Sequence, residues 1–181
     1  MMYYATEYLS PLGKVTMACD EEEHLVGLWL KGQKHFLATL SENPVYRDDM
    51  SVFAQTKDWL NRYFAGEQPA SEELSLSPAG GEFRQDVWGI LCRIPYGQVV
   101  TYGEIAKRIA EKRGLQSMSS QAVGGAVGHN PISIIIPCHR VVGSGGSLTG
   151  YAGGVENKIK LLKLEGVDTG RFFVPKGSIS M

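Results

Sequence analysis

A thiol becomes an effective nucleophile where a base or a cation favours its thiolate, and Cys138 is followed directly by His139 and Arg140. Adjacent side chains on extended backbone point to opposite sides. His139 therefore acts on Cys138 only if the chain turns there or a water bridges the two, and Pro137 makes a turn available. A histidine base also needs an acceptor to fix its tautomer, and Glu165 is the candidate in this part of the chain. Composition and spacing alone are equally compatible with Cys138 as a small core residue and His139 as a satisfied core histidine.

The elements around these residues must set their geometry. Ile132-Ser133-Ile134-Ile135-Ile136, just before Pro137, is a short β-branched run that reads as buried extended chain. A glycine-rich loop from Gly143 to Gly154 leads to a last helix, with Val155, Ile159, Leu162 and Glu165 on one stripe and Gly166 as its stop. The carboxylate thus falls in line with the buried face. Upstream, Phe83, Val87, Leu91 and Ile94 form the stripe of another helix, stopped by Pro95 and Gly97. Thr101-Tyr102-Gly103-Glu104 has the form in which a threonine and a glutamate reciprocally cap a helix start, with Ile105, Ala106 and Ile109 as the apolar face. Gly114 breaks that helix. Ser119 or Ser120 caps the next, through Gln121, Ala122, Val123, Ala126 and Val127 to a stop at Pro131. The spacing is that of a helix-turn-helix. Ala122, Gly124, Gly125 and Gly128 let the second helix approach another backbone closely. Spacing does not decide whether that backbone is DNA or a neighbouring helix.

In the first part of the chain, Val15 and Met17 alternate and a second apolar run spans Leu25 to Leu30, which predicts a hairpin tipped by Asp20-Glu21-Glu22-Glu23. Val52, Trp59, Leu60, Tyr63 and Phe64 recur at helical spacing between Asp48 and Ala65, ahead of Gly66. Breaker-rich stretches at Gln68-Pro69-Ala70-Ser71 and Ser77-Pro78-Ala79-Gly80-Gly81 place a domain boundary near residue 80, giving domains 1–80 and 81–181. The net charge of −1 conceals a division. Residues 1–81 hold 6 Lys and Arg against 12 Asp and Glu, whereas residues 82–181 hold 12 against 7, so only the second part has the charge of a DNA binder. Three widely spaced cysteines argue against a disulfide framework and for a reducing compartment. The N-terminus lacks the form of a signal peptide, and no stretch approaches the roughly 18 apolar residues of a membrane span. A cytoplasmic protein without a membrane partner is expected. Cys19, His24 and His35 suggest zinc ligands, but a closed site needs a fourth, so no metal is expected.

Ile136-Pro137-Cys138-His139-Arg140-Val141-Val142 resembles the active-site signature of the O6-alkylguanine-DNA alkyltransferases, also called methylated-DNA-protein-cysteine methyltransferases. The resemblance continues through Val87-Trp88, Ile94-Pro95-Tyr96-Gly97, Thr101-Tyr102-Gly103, Ala122-Val123-Gly124, Asn130-Pro131 and Gly150-Tyr151-Ala152-Gly153-Gly154, covering residues 83–166 closely. Ser10-Pro11-Leu12-Gly13 matches more loosely. It implies an α+β chain with a small N-terminal α/β, ribonuclease H-like domain. A helical domain of winged helix-turn-helix type follows, entering the minor groove of double-stranded DNA as a monomer. The implied reaction is irreversible, single-turnover transfer of an alkyl group from O6-alkylguanine to Cys138, with no cofactor; whether O4-alkylthymine is also a substrate is left open by the sequence. Extrusion of the base makes physical sense, since a thiolate cannot reach O6 of a stacked guanine in line. The resemblance implies that His139 is a base acting through water, that Glu165 orients it, and that Asn130 braces the Cys138 loop. It further implies that Tyr102 hydrogen-bonds the extruded base and helps rotate its phosphate. Backbone carbonyls of Cys138 and Val141 would read the guanine amine, and Tyr151 and Ala152 would close over the base. Gln121, Ala122, Gly125 and Tyr102 would face DNA. Gln121 stands where the family usually has an inserted arginine, and Ala152 where it often has a serine. A lesion-binding relative without transfer activity lacks the acceptor cysteine, which is present here; a cysteine hydrolase needs an oxyanion hole that nothing in the sequence specifies.

Overall fold

Gly13 takes φ +99°, the left-handed conformation that lets the chain reverse through Pro11-Leu12 between β1 (Tyr3–Ser10) and β2 (Gly13–Asp20). β1 was not foreseen from the sequence pattern. The expected hairpin is β2 with β3 (Leu25–Leu30), and its tip is held by the Asp20 carboxylate, which accepts from the backbone of Glu22 and His24. With β4 (Val45–Tyr46) these strands form a sheet of order β3-β2-β1-β4. Helix α1 (Ser51–Phe64) packs on β1 and β2, burying Val52, Phe53, Trp59, Leu60 and Tyr63. Gly66, at φ +92°, ends it.

The structure, a computed structural model, describes residues 1–175. Its backbone falls into two units, Met1–Ala79 with Pro131–Ile135, and Gly80–Asn130 with the chain from Ile136 onward. Pro131–Ile135, expected within a domain 81–181, thus groups with the first unit, and the extended run expected over Ile132–Ile136 does not form. Among the described residues this segment forms a single bridge, Leu28 to Ile132. The remainder turns, because Ile134 sits at φ +72° and interrupts any strand.

The second unit is helical. Its helices are α2 (Glu82–Leu91), α3 (Tyr102–Arg113), α4 (Ser120–Gly128) and α5 (Val155–Leu164). The Thr101 hydroxyl accepts from Glu104 N at 3.1 Å while the Glu104 carboxylate accepts from Thr101 N at 2.8 Å, so the capping box at α3 is complete. Ser119 caps α4 by accepting from Ala122 N. Trp88 is buried between helices and donates its indole N–H to the Ala126 carbonyl at 2.9 Å, tying α2 to α4. β5 (Val100–Thr101) pairs in parallel with β6 (Val141–Val142), which fixes the start of α3 beside the segment that follows Cys138. The chain is thus α+β, a small sheet unit followed by a helical one.

Candidate active site

Pro137, at φ −81° and ψ 65°, turns the chain into a single 3₁₀ turn over Cys138–Arg140. The turn that His139 needed to share an environment with Cys138 is therefore present, and both side chains are buried. His139 Nε2 lies 2.6 Å from Glu165 Oε2, at the C-terminal end of α5. An ionised carboxylate only accepts, so Nε2 carries the proton and Nδ1 presents a lone pair. That Nδ1 is buried and meets no protein partner among the described residues. A buried, unpartnered ring nitrogen beside a cysteine is an acceptor held ready for a proton.

Glu165 is the hub. Besides His139 it accepts from Arg140 Nε at 2.8 Å and Arg140 Nη2 at 3.0 Å, a bidentate pair, and from Gly97 N at 3.1 Å. Burial alone would raise its pKa, but hydrogen bonds and charge from His139 and Arg140 outweigh it and hold the carboxyl well below its usual range. Arg140 also donates to the Ile94 carbonyl at 2.7 Å and lies over the Tyr96 ring. It grips the carboxylate and does not act as the cationic neighbour of Cys138. Gly97 takes φ +80°, and a Cβ there would stand 3.0 Å from the Glu165 carbonyl oxygen, so this approach requires glycine.

The electrostatics of Cys138 run against a resting thiolate. Burial pushes its pKa up, opposed by a hydrogen bond from Asn130 and by the charge of Lys158. Burial likewise lowers the pKa of His139, outweighing Glu165, so the resting pair is a thiol and a neutral imidazole. Asn130 donates Nδ2 to the Ile136 carbonyl at 2.8 Å and so ties the end of α4 to the backbone before Cys138.

Lys158 is the residue that the sequence reading missed. It is fully buried on α5 and donates to the Val141 carbonyl and, at 3.2 Å, to the Thr149 carbonyl. The available signal was a lysine beside the apolar stripe of Val155, Ile159 and Leu162, a place where lysine is rare. Burial brings its pKa down to about 8. Tyr102 donates its hydroxyl to the same Thr149 carbonyl at 3.0 Å, and burial pushes its pKa up to about 12. The Val141 carbonyl therefore already has one donor, and the Cys138 carbonyl accepts from Val141 N. A second lone pair remains on each for any ligand.

A cleft of about 510 Å³ is lined by Tyr102, Gly103, Gln121, Gly124, Thr149 and Gly150, among others. Gln121, Ala122 and Gly125 form an exposed face of α4. Tyr151 is buried, its ring centroid 6.5 Å from that of His139 and the two planes at 80°, whereas Ala152 is half-buried. Within the first unit, His24 Nδ1 is 3.1 Å from Asp20 Oδ2, and burial pushes the Cys19 thiol up to about 12.

Residues 82–167 match the 6-O-methylguanine DNA methyltransferase DNA-binding domain, and residues 2–78 match the ribonuclease-like domain of the same proteins. The chain belongs to the 6-O-methylguanine DNA methyltransferase family. Within it, the methylated-DNA–protein-cysteine methyltransferase of Methanosarcina acetivorans is 44% identical over 91% of this chain and 99% of its own. That of Haemophilus influenzae is 38% identical over 97% and 90%. Mycobacterium tuberculosis OGT, solved in complex with DNA, superposes with a TM-score of 0.74 at 38% identity, covering 95% of each chain.

Lys158→Met makes a test of the buried cation. Its folded pKa lies below its unfolded one, so the unfolded chain binds more protons between pH about 8 and 10.5, and stability rises with pH across that window. The rise due to this group is about 3 kcal/mol at most. Urea unfolding at pH 8 and pH 10 is expected to show that increment in the wild type relative to Lys158→Met. An identical pH dependence in the two proteins would mean that Lys158 titrates normally.

Proposed function

We propose that this chain repairs DNA by moving a methyl or other alkyl group from O6 of guanine to Sγ of Cys138, with O4-alkylthymine as a second substrate. The observation that carries it is the buried order Cys138, His139, Glu165, with His139 Nδ1 unpartnered and Nε2 committed to the carboxylate. The thiol proton passes through a water to His139 Nδ1, and the imidazolium so formed is stabilised by Glu165. Sulfur then attacks the alkyl carbon, the carbon–oxygen bond breaks, and the guanine leaves with a proton equivalent to the one the thiol gave up, so that His139 returns to neutral. The product is a thioether that no group in the site can reverse, so each molecule acts once. Its relatives' names and the DNA complex of the M. tuberculosis protein support the substrate class.

The exposed face of Gln121, Ala122 and Gly125 is the surface we assign to the minor groove of duplex DNA, with Tyr102 at the mouth of the cleft that takes the extruded base. Two free cysteines buried, Cys19 and Cys138, suit a cytoplasmic setting, and we take the active species to be a monomer. Incubation with duplex DNA carrying labelled O6-methylguanine tests the whole proposal. One label per protein, resistant to denaturation, is expected; label left on DNA, or released with repeated turnover, overturns it.

Gln121→Arg probes the DNA face. The longer cation fills the space left by the flipped base, so repair of duplex DNA is expected to accelerate several-fold, while reaction with free O6-benzylguanine stays unchanged. If the new charge instead neutralised a phosphate, the log-log salt slope of binding would steepen by about 0.9. Equal effects on both substrates would place residue 121 in the pocket or the fold.

A further inference from the structure

The residues leading into the reactive turn adopt a backbone that their side chains oppose. Ile134 has φ +72°, where a β-branched Cβ is driven against its own backbone. Ile135 N donates to the Ser133 carbonyl at 2.8 Å across it, which closes a three-residue γ-turn of the strained hand. Cys138 N donates to the Ile136 carbonyl at 2.8 Å across Pro137, whose φ −81° and ψ 65° make a second γ-turn, of the relaxed hand. Cys138 thus follows two tight reversals, and a slip at the first reaches it through only Ile135, Ile136 and Pro137.

A strained turn persists where its surroundings over-determine it. On the backbone, Leu28 N donates to the Pro131 carbonyl at 2.8 Å and Ser133 N to the Leu28 carbonyl at 2.9 Å. These bonds hold Ser133 at one point. Its side chain supplies a second fixing point, because Ser133 Oγ donates to Gln33 Oε1 at 2.9 Å, in a buried contact. Gln33 is itself fixed, since Oε1 also accepts from Leu30 N at 3.0 Å while Gln33 N donates to the Leu30 carbonyl at 3.0 Å. Ser133 is 1% exposed and Gln33 5%, so neither has water to turn to.

We propose that Gln33 and Ser133 are positioning residues, a clamp that holds the left-handed turn at Ile134 and thereby sets where Cys138 stands for alkyl transfer. The role in transfer rests on the function proposed above; the placement of the thiol does not. Removing the clamp relaxes Ile134 toward negative φ and displaces Sγ from its proton acceptor.

The test uses Ser133→Ala, Gln33→Leu, the double variant, and Gln33→Glu, which keeps an acceptor oxygen in the same place. Two rates are measured on the full chain by intact mass across a pH series: transfer from free O6-benzylguanine, and alkylation of Cys138 by iodoacetamide, which needs no guanine. Each single loss is expected to slow both rates about tenfold or more and to shift their pH profile. The double variant should be no slower than either single, and Gln33→Glu should stay within about twofold of wild type. Variants that melt earlier yet keep both rates and the pH profile would overturn the clamp, as would additive effects. If the wild type is alkylated by iodoacetamide but never by O6-benzylguanine or alkylated DNA, the repair function fails, and the iodoacetamide rates still judge the clamp.

Discussion

Cys138→Ala is expected to leave no detectable alkyl transfer while duplex DNA binding stays within about twofold of wild type. The asymmetry follows from location. In the proposed reaction Sγ is the atom that bonds the alkyl carbon, whereas the proposed DNA surface, the exposed face of α4 and the N-terminus of α3, contains no part of Cys138. Alanine occupies less space in a buried position, so a melting-temperature loss of a few degrees is expected and must be separated from activity by assaying well below it. Mass spectrometry of the reacted wild type should place one added group on the peptide with Cys138. Cys19 is a poor competitor, since burial raises its pKa to about 12 and Asp20 and Glu23 reinforce the shift. Methylation at Cys19 or Cys92, or transfer by the alanine variant, would remove the nucleophile from the position assigned to it.

Glu165→Gln is expected to slow transfer by about a hundredfold or more, and also to weaken the fold. In the proposed mechanism the amide cannot compensate the imidazolium formed when the thiol proton reaches His139, so the apparent pKa for reaction should rise. At the same time Arg140 loses its bidentate partner inside the protein, and breaking one side of a buried pair costs about 3–5 kcal/mol. That is a large part of the ordinary stability of a domain. The pH dependence of stability gives the sign independently. The folded-state pKa of Glu165 is depressed, so its contribution is present above the unfolded value near 4.5 and is lost as pH falls through the folded one. His139 is also depressed from 6.5, so the unfolded chain begins to take up its proton first, and stability should start to fall below about pH 6.5. A variant with wild-type rate, pH profile and acid stability would reduce Glu165 to a helix-end residue.

The parts of this site legible in the sequence are those whose signal is local. The Thr101/Glu104 box, the Gly66, Gly114 and Gly166 stops and the stripe that carries Glu165 depend on neighbours within a turn or two, and each lies where its pattern put it. What escaped depends on partners far along the chain. Lys158 is satisfied by carbonyls of Val141 and Thr149, and although its spacing puts it beside the apolar stripe, nothing local supplies the acceptors that let its ammonium turn inward. Arg140 reads as a cation beside a thiol until α5 supplies Glu165 to bind it. The run at Ile132–Ile136 has the composition of a strand, but Leu28 offers it only one bridge and the turn at Ile134 takes over. β1 escaped because its alternation is masked by polar residues, Thr6 and Ser10, that it buries.

The bond from Ser133 to Gln33 joins residues 100 apart, and that span has a consequence for how the protein is made. Synthesis runs from the N-terminus, so the strand and turn that receive Ser133 are complete long before Ser133 leaves the ribosome. Closing a loop of that length costs about 4 kcal/mol of chain entropy before any contact offsets it, and a contact so distant in sequence forms slowly. The backbone around Cys138 is accordingly expected to be among the last parts of the nascent chain to find its shape. On the single-turnover reaction proposed above, a newly made molecule is expected to pass through a period in which most of its helices and strands are formed and Cys138 is not yet reactive.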